Sequence, residues 1–501
     1  MKKIITSLIV IFLLSFKYSD VDKTNSNNSP ISPETEECIM CHSTLHPGII
    51  KDWENSRHSK ISTFNANKKS DLEKRVSSIP SDSILSKVVV GCYECHSLNT
   101  DNHADSFEHN GYIINVVVSP NDCSVCHNEE NEQYSKNIMS HAYANLMENK
   151  VYLDFKASIT SDIKFEDGSF HFNDNNDLTD ADACLHCHGT ILKVTGKETR
   201  ESDFGEFEFP IIEGWPNQGV GRINPDGSKG ACTSCHPRHD FSIETARKPY
   251  TCSQCHKGPD VPAYKVYISS KHGNIYNSDK EKYNFSNVPW VIGNDFVAPT
   301  CASCHSSLLT DTEGNVVAER THQFNDRLSS RLFGVPYAHP HPISPETHLI
   351  TNSSGMQLAA DLDGTPASEF LINEKEQVER DNEMKQICNK CHSSSWTDNH
   401  FIRLNDVIKS SNAYTITATE LMLKIWEKGY ADNSNLFDEN IERQWTDLWL
   451  FHSNSVRLSA AMGGGGDYGV FANGRYQLTN KLFYLKEWLE NKDNMKGKKK
   501  K

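Results

Sequence analysis

The sequence predicts a multihaem cytochrome c fold, in which attached porphyrins fill much of the core. Three observations carry this prediction. The pattern Cys-x-x-Cys-His, which attaches haem c through two cysteines and supplies one histidine ligand, occurs eight times in the 501 residues. The eight patterns use all 16 cysteines. Hydrophobic residues make up only 37% of the chain, which is little for a protein of this length that had to build an ordinary apolar core.

Each Cys-x-x-Cys-His motif predicts two thioether bonds to one porphyrin and one proximal histidine ligand to its iron. Zinc sites, disulfide frameworks and thioredoxin-like pairs do not require a histidine after every second cysteine. The predicted attachment cysteines are Cys38, Cys41, Cys92, Cys95, Cys123, Cys126, Cys184, Cys187, Cys232, Cys235, Cys252, Cys255, Cys301, Cys304, Cys388 and Cys391. The predicted proximal ligands are His42, His96, His127, His188, His236, His256, His305 and His392. We number these motifs one to eight in chain order.

The N-terminal segment, residues 1–24, is predicted to be a signal peptide. A basic start precedes an apolar run from Ile4 to Phe16, which is too short to span a bilayer and is typical of a secretory signal. No small-x-small cleavage site follows it, so an uncleaved N-terminal membrane tether is the alternative. Both interpretations place the protein in the periplasm or an equivalent extracytoplasmic compartment.

The rest of the chain is predicted to form three parts. Residues 25–400 carry all the motifs and form the haem-binding domain, residues 401–490 form a helical C-terminal region, and residues 491–501 form a basic tail. Trp445 and Trp449 belong to an apolar stripe with helical spacing in the C-terminal region. This stripe predicts an amphipathic helix that lies either in the core or at a subunit interface.

The formal net charge of −15 excludes a general nucleic-acid binder, since contacts to phosphates need a basic surface. Haem propionates would add further negative charge. An acidic surface favours an electron-transfer partner with a basic docking patch, because opposite charges steer the encounter. We expect this partner to be a soluble cytochrome c or a quinone-linked membrane cytochrome.

Histidines outside the motifs are candidates for the distal positions of the irons. A relay haem usually has histidine on both faces, whereas a haem that performs chemistry keeps one axial position open. Five histidines near motifs, in segments that could be helical, are the predicted distal ligands: His58, His141, His239, His272 and His400. Weaker candidates are His46, His103, His322 and His452, while His339, His341 and His348 lie in a proline-rich segment that predicts a loop.

Several longer segments carry a resemblance to a known family. The order of the eight motifs resembles that of the octahaem hydroxylamine oxidoreductase family, as do the segments GRINPDGSKGACTSCHPRHDFS, ARKPYTCSQCHKGPD, YISSKHGNIY, APTCASCH and WTDLWLFHSNSVRLSAAMGGGGDYGVFANGRY. The likeness runs from about Cys38 to Leu489. It implies a mostly α fold with long C-terminal helices around a close-packed array of eight haems, often assembled as a homotrimer.

The resemblance also implies which haem performs the chemistry. In this family the catalytic haem corresponds to the fourth motif, Cys184-Leu185-His186-Cys187-His188. Its proximal ligand here would be His188, whereas nitrite-reducing relatives commonly use a lysine. This difference argues against an orthodox ammonia-forming nitrite reductase, although histidine-ligated members of the family include reductases.

Members of the family that oxidise hydroxylamine bind a tyrosine of a neighbouring subunit covalently to the catalytic haem. The matching position is Tyr468, but the aromatic-His-Gly pattern expected after it is replaced by Phe-Ala-Asn-Gly at positions 471–474. A buried tyrosine in a glycine-rich bend is the alternative.

Oxidising members also use an Asp-His pair on the distal side to accept substrate protons. Asp226 and Asp260 are the two matching positions, and Gly227 or Val261 stands where the histidine is expected. Asp226 could instead be a turn residue. Arg222 is a candidate anion clamp, with a contact to a haem propionate as the alternative.

We therefore interpret the sequence as an exported octahaem oxidoreductase that acts on hydroxylamine, hydrazine, nitric oxide or nitrite at one open iron. The missing histidine favours the reductive direction. The alternative is an electron conduit in which all eight irons are capped. Reduction of a sulfur oxyanion would require a lysine-ligated iron, which none of the eight motifs provides.

Overall fold

The computed structural model describes residues 29–173, 177–202 and 205–499. The predicted signal peptide or tether, residues 1–24, lies outside the described residues. The described chain is mostly helical, which confirms the predicted fold class. Its α-helices span Pro33–Leu45, Pro47–Asn55, Thr63–Asn67, Cys92–His96, Pro120–Ser124, Asn128–Ser135, Ala142–Met147, Lys150–Thr160, Asp177–Asp182, Cys184–His188, Ile243–Arg247, Pro249–Cys252, Ala263–Ser269, Lys271–Asp279, Cys301–His305, Glu374–Cys388, Ser394–Glu427, Asn440–Thr446, Asn454–Ala461 and Arg475–Lys499.

Most of the helices before residue 370 are short, and several coincide with the motifs. Cys92–His96, Cys184–His188 and Cys301–His305 are each a single helical turn. Side chains three and four positions apart lie on one face of a helix. A motif in this conformation therefore turns both cysteines and the histidine toward the same side, where one porphyrin would be attached.

The strands form small antiparallel hairpins and one three-stranded sheet. Trp290–Val291 pairs in parallel with Leu309–Thr310, which pairs antiparallel with Val316–Ala318. The hairpins are Ser106–His109 with Tyr112–Asn115, Asp162–Glu166 with Ser169–Asn173, Lys193–Ser202 with Gly205–Glu213, and Ser330–Arg331 with His339–Pro340. Short 3-10 turns lie at Thr100–Asn102, Ile138–His141, Cys232–Ser234, Lys280–Lys282, Thr347–Leu349 and Ser368–Phe370.

The largest apolar core lies among the C-terminal helices. Trp426, Trp445 and Trp449 pack edge to face there, with ring centroids 5.7 and 5.6 Å apart. Val456, on the same helical stripe, is also buried. The amphipathic stripe predicted from the sequence therefore belongs to the core of the chain itself.

The predicted boundaries at residues 400 and 490 both fall inside helices. The predicted division at residue 400 falls inside the helix Ser394–Glu427, and the helix Arg475–Lys499 runs through most of the predicted basic tail. Along the described ranges, no helix is both long enough and apolar enough to cross a membrane.

Candidate haem cavity and active site

A continuous cavity of about 3230 Å³ runs through the described part of the chain. All sixteen cysteines and all eight motif histidines line it. Protein interiors are close-packed and contain few voids larger than a water molecule. A cavity of this size, with every attachment residue on its wall, fits a set of large apolar groups bound through the motifs.

The cysteines support haem attachment over the other interpretations of the motifs. All sixteen are free thiols, so the described chain has no disulfide framework. Within the described ranges, no cluster of three or more histidine, cysteine, aspartate or glutamate side chains is arranged to hold a bare metal ion. The zinc and disulfide interpretations therefore do not fit, whereas haem c does.

Two of the motif histidines are held in the orientation that iron ligation requires. The Nδ1 atom of His96 lies 2.7 Å from the backbone oxygen of Asn115, and that of His188 lies 2.9 Å from the backbone oxygen of Ala142. A carbonyl accepts only from a protonated Nδ1, so the Nε2 lone pair remains available to a metal. This is the usual outer-shell support of a ligating histidine.

Three motif histidines face a second imidazole across the cavity. Ring centroids lie 6.2 Å apart for His42 and His109, 6.3 Å for His127 and His58, and 6.1 Å for His392 and His272. A metal–imidazole bond is about 2 Å long, so an iron ligated on both faces holds its two ring centroids about 6 Å apart. These three separations therefore fit a haem iron between each pair of rings.

Two further pairs are indicated by electrostatic proximity. Burial and the nearby His96 lower the pKa of His239 to about 4, and burial and the nearby His236 lower the pKa of His322 to about 3. Both side chains line the cavity. His341 and His400 line it as well, but the charged groups around His400 include His392 and His272, the pair at motif eight.

The structure does not support the distal role predicted for His141. Its Nε2 atom is hydrogen-bonded to the backbone oxygen of Ser135 at 2.8 Å, and its Nδ1 atom lies 3.6 Å from Glu346. His141 is absent from the cavity wall because its ring turns toward the preceding helix. His103, His339, His348 and His452 also lie off the cavity wall, whereas His46 is on it and stacks on His42.

Sequence reasoning missed His109, because it searched for distal ligands in segments with helical character. His109 ends the strand Ser106–His109, directly before an Asn-Gly turn. Asn-Gly between two alternating segments is a strong hairpin signal. That signal could have placed this histidine at the end of a rigid hairpin beside motif two.

Contacts between cysteines of different motifs show how the motifs are arranged. The thiol of Cys187 in motif four hydrogen-bonds that of Cys255 in motif six. Similar contacts join motifs one and two, three and five, and six and seven, through the pairs Cys38–Cys92, Cys123–Cys232 and Cys252–Cys301. Three further pairs of cysteines lie close enough to interact electrostatically and join motifs two and three, five and six, and seven and eight. They are Cys95–Cys126, Cys235–Cys252 and Cys304–Cys388. These contacts connect all eight motifs. Motifs one, two, three, five, six, seven and eight follow one another in a row, and motif four joins this row at motif six.

The backbone of Gly221 packs closely against the backbone of His188. A Cβ atom added to Gly221 would lie 2.7 Å from both the backbone oxygen of His188 and the backbone nitrogen of Ala142. Glycine at position 221 therefore lets three segments pack together at this point. This packing brings the carbonyl of Ala142 to the imidazole of His188.

Of the two candidate aspartates, Asp260 is the one beside His188. It lines the cavity, and its carboxylate is close enough to oppose the lowering of the pKa of His188 that burial causes. The Asn454 side chain donates a 3.1 Å hydrogen bond to the backbone oxygen of Asp260. A Cβ atom at Gly258 would lie 2.5 Å from the Asp260 carboxylate, so this glycine leaves space for the side chain.

Asp226 does not line the cavity. It accepts hydrogen bonds from Ser119 Oγ at 2.7 Å, Asn121 Nδ2 at 3.0 Å and Ser228 Oγ at 2.6 Å. Burial raises the pKa of this carboxyl, but those hydrogen bonds outweigh burial, and its pKa is lowered. This arrangement matches the alternative role of a turn residue.

Arg222 lines the cavity, and its backbone packs against Gly189, next to His188, but its side chain is engaged elsewhere. Its Nε donates to Asn224 Oδ1 at 2.8 Å and its Nη1 to the backbone oxygen of Asn217 at 3.1 Å. The charged groups around it include Cys123 and Cys232, which belong to motifs three and five. The side chain predicted to clamp an anion at motif four therefore lies beside other motifs.

Tyr468 begins the short π-helix Tyr468–Ala472, is half-buried and does not line the cavity of its own chain. Its hydroxyl is 3.4 Å from the Asn473 side-chain nitrogen. A covalent bond from Tyr468 to a haem would thus have to reach a different subunit, as the family resemblance implies.

Two family models match separate parts of the chain. The model described as "Seven times multi-haem cytochrome CxxCH" matches residues 223–329, and the model described as "Cytochrome c554 and c-prime" matches residues 37–116 and 122–206. Both descriptions are of cytochromes, and the first names the CxxCH motif.

Known proteins show the same architecture over most of the chain. A solved structure described as a hypothetical multiheme protein is 39% identical, covers 94% of this chain and 98% of that chain, and superposes with a TM-score of 0.88. A chain of the reducing HAO-like protein complex of Kuenenia stuttgartiensis superposes with a TM-score of 0.63 at 18% identity, covering 93% of this chain and 87% of that chain.

A relative in sequence is the probable nitrite reductase-hydroxylamine oxidoreductase fusion protein of Kuenenia stuttgartiensis, which is 22% identical over 392 residues. The match covers 72% of this chain and 34% of that relative. The chain thus spans about a third of the length of the curated relative.

Proposed function

Because this chain belongs to the multihaem c-type cytochromes and has the fold of their hydroxylamine oxidoreductase-like members, we propose that it is an octahaem oxidoreductase acting on a small nitrogen compound. The substrate would be hydroxylamine, hydrazine, nitric oxide or nitrite. The reaction would take place at one open iron, ligated by His188, and the reductive direction is favoured. Each of the eight motifs would hold one haem c.

The observation that carries this proposal is that His188, like His256 and His305 but unlike the other five motif histidines, has no histidine from outside the motifs beside it in the described part of the chain. Five motif histidines have a second histidine beside them: His42, His96, His127, His236 and His392. The charged side chains that act on His188 are instead Asp260 and Arg331. A relay iron is closed by a second histidine, whereas a catalytic iron needs the space left open.

The protein residues at this site have separable tasks. When bound, the haem supplies an open coordination position and the electrons. Ala142 fixes the imidazole of His188 through its carbonyl. Asp260, an exposed residue on the cavity wall, can hold a proton and pass it to a nitrogen or oxygen atom of the substrate.

Val261 supports the reductive direction. Hydroxylamine-oxidising members of the resembled family pair this aspartate with a histidine that accepts substrate protons, and the valine at position 261 has no group that could do so.

The arrangement of the motifs suits chemistry that needs several electrons. Motif four touches motif six, and motif six connects in turn to motifs five and seven. Electrons for the His188 site would therefore pass through the haem on motif six and could be stored on the others. We further propose that the protein is exported, assembles as a homotrimer and exchanges electrons with a soluble cytochrome c or a quinone-linked cytochrome.

The test uses the purified, haem-loaded protein. We expect about eight haems per chain, one of which changes its optical and paramagnetic spectrum on addition of cyanide or nitric oxide. With a reduced viologen dye as electron donor, nitrite, nitric oxide or hydroxylamine should be consumed faster than hydroxylamine is oxidised by cytochrome c. If neither cyanide nor nitric oxide perturbs any haem, the protein is a conduit with all irons capped.

A further inference from the structure

We propose that the outer face of the helix Pro33–Leu45, which carries motif one, is the docking surface for the electron-transfer partner, and that this partner is a small cytochrome with a lysine-rich surface. This inference rests on the proposed function and deepens it, because it names the partner and the place where electrons are exchanged. Three features of the chain support it: the position of motif one in the row, the residues exposed on its helix, and the charge around them.

Motif one lies at an end of the row of motifs. The thiol of Cys38 in motif one hydrogen-bonds that of Cys92 in motif two, and the row continues from there to motif six, where motif four joins it. An electron that is exchanged at a haem on motif one can therefore reach the His188 site by steps between neighbouring haems. Motif eight is the opposite end of the row and is the competing place for exchange.

The helix of motif one presents two acidic side chains and one apolar side chain to solvent. Glu36, Glu37 and Met40 are exposed, and the relative exposure of Met40 is 70%. Residues three and four positions apart lie on one face of a helix, so both glutamates lie beside the methionine. The attachment residues of motif one line the cavity, whereas Glu36 and Met40 do not. A haem bound to motif one would leave these two side chains open to a partner.

The surface around motif one is acidic. Residues 33–55 contain five carboxylates and one lysine. Tyr112 of the adjacent hairpin donates a 2.9 Å hydrogen bond to Glu37, and the same hairpin adds the exposed carboxylate of Glu108. Opposite charges steer a basic protein toward such a surface. A second copy of this chain, with a net charge of −15, or an acidic electron carrier would be repelled.

The surface around motif eight is closer to neutral. Residues 374–400 contain six carboxylates and four basic side chains, and each basic side chain pairs with a carboxylate. The pairs are Lys375–Glu379 at 3.7 Å, Arg380–Glu376 at 2.6 Å, Lys385–Asp398 at 2.9 Å and Lys390–Asp311 at 3.1 Å. Charge therefore favours motif one over motif eight as the place where a basic partner docks.

Met40 supplies an apolar centre for the docked complex. Methionine is enriched at protein interfaces, and complexes that transfer electrons bury little surface. Charged side chains at the edge of an interface act mainly on the rate of association. Glu36 and Glu37 should therefore set the association rate and its salt dependence, whereas Met40 contacts the partner once it has docked.

The experiment uses stopped-flow absorbance to follow electron transfer from the reduced, haem-loaded protein to an oxidised, lysine-rich monohaem cytochrome c, without any nitrogen substrate. One electron leaves the protein and reduces one cytochrome, and no bond or proton changes. The second-order rate constant should fall as the ionic strength rises, because salt screens the attraction. The double variant Glu36→Gln/Glu37→Gln should lower it about 3-fold or more at low ionic strength and flatten its salt dependence. Met40→Lys, which places a like charge against the partner, should also lower it.

Glu374→Gln/Glu383→Gln is the matched control, because it removes two exposed carboxylates from the helix that ends in motif eight. It should leave the rate constant and its salt dependence unchanged. Electron transfer to a small uncharged quinone needs no docking surface and should be the same in all variants.

Three results would overturn the assignment of this surface: an equal or larger loss in the motif-eight variant, a rate constant that does not respond to salt, or a change of oligomeric state in Met40→Lys, which would make the face a contact between copies of the chain. None of them bears on the open iron. The proposed function fails separately, if cyanide and nitric oxide leave every haem spectrum unchanged.

Discussion

Asn454, in the C-terminal helix Asn454–Ala461, donates a 3.1 Å hydrogen bond to the backbone oxygen of Asp260, in the loop after motif six. Asn454 is fully buried, so no water competes for this bond. The helix Asn454–Ala461 carries no motif, yet it fixes the backbone of Asp260, whose charge acts on His188. It therefore contributes to the candidate active site as well as to the apolar core.

The role of Asp260 can be tested by Asp260→Asn. We expect kcat for reduction of the nitrogen substrate to fall about 100-fold or more, because the amide cannot deliver a proton. The haem content should stay the same. Asp226→Asn tests the competing candidate, and we expect it to change kcat far less, since Asp226 lies outside the cavity. A larger loss at position 226 than at 260 would exchange the two assignments.

The position of the Asp260 side chain can be tested without changing its chemistry. In Gly258→Ala the new methyl group would lie 2.5 Å from the Asp260 carboxylate and push it aside. A flexible carboxylate moves at little cost, so the free energy of unfolding should change by less than about 1 kcal/mol, whereas kcat should fall.

Gly48→Ala is the control for this substitution, because a Cβ atom at Gly48 meets nothing within 4 Å. It should leave kcat unchanged and, because alanine favours a helix more than glycine does, raise the stability slightly. Unchanged activity in Gly258→Ala would mean that the carboxylate position is not critical.

The newly assigned distal ligand gives a third prediction. His109→Ala should convert one low-spin haem, that of motif one, to a high-spin form, because His109 faces His42 at 6.2 Å. Electron paramagnetic resonance of the oxidised protein measures this change. His141→Ala, at the position that the structure places off the cavity wall, should leave the spectrum as it was. The opposite pattern would restore His141 as a ligand.

These ligands show what the sequence could and could not predict. The attachment sites could be predicted because two cysteines and a histidine act within one helical turn, a purely local arrangement. The pairing of His58 with His127 depends on how distant segments pack, so only proximity to a motif hinted at it. Asp226 and Asp260 both follow a proline, and their different surroundings arise only from tertiary packing.

A buried histidine outside the cavity gives a fourth prediction, on stability. His103 lies between two carboxylates, 3.0 Å from Asp105 and 3.1 Å from Asp122. Burial alone would lower the pKa of His103, but the two carboxylates raise it to about 10. An unfolded histidine has a pKa of about 6.5. The stabilisation is therefore complete below about pH 6.5 and is lost as the pH rises toward 10.

We thus expect the Tm of the haem-loaded protein to fall between pH 7 and pH 10, as measured by calorimetry. The variant His103→Gln should be less stable at pH 7 and should show a flatter dependence of Tm on pH over the same interval. A slope that is the same in the variant would show that His103 is not the titrating group.

The fifth prediction concerns Tyr468 and the direction of catalysis. A covalent bond to a haem of another subunit would favour oxidation of hydroxylamine or hydrazine, as the family resemblance implies. Here the residues after Tyr468 depart from the expected pattern, and Val261 replaces the second distal base. We therefore expect denaturing gels to show separate chains, with an intact mass equal to one chain plus eight unmodified haems. The reduced protein should lack an additional long-wavelength absorption band. Chains that stay joined and show such a band would establish the bond and reverse the proposed direction, because they would place Tyr468 on the catalytic haem of a neighbouring subunit.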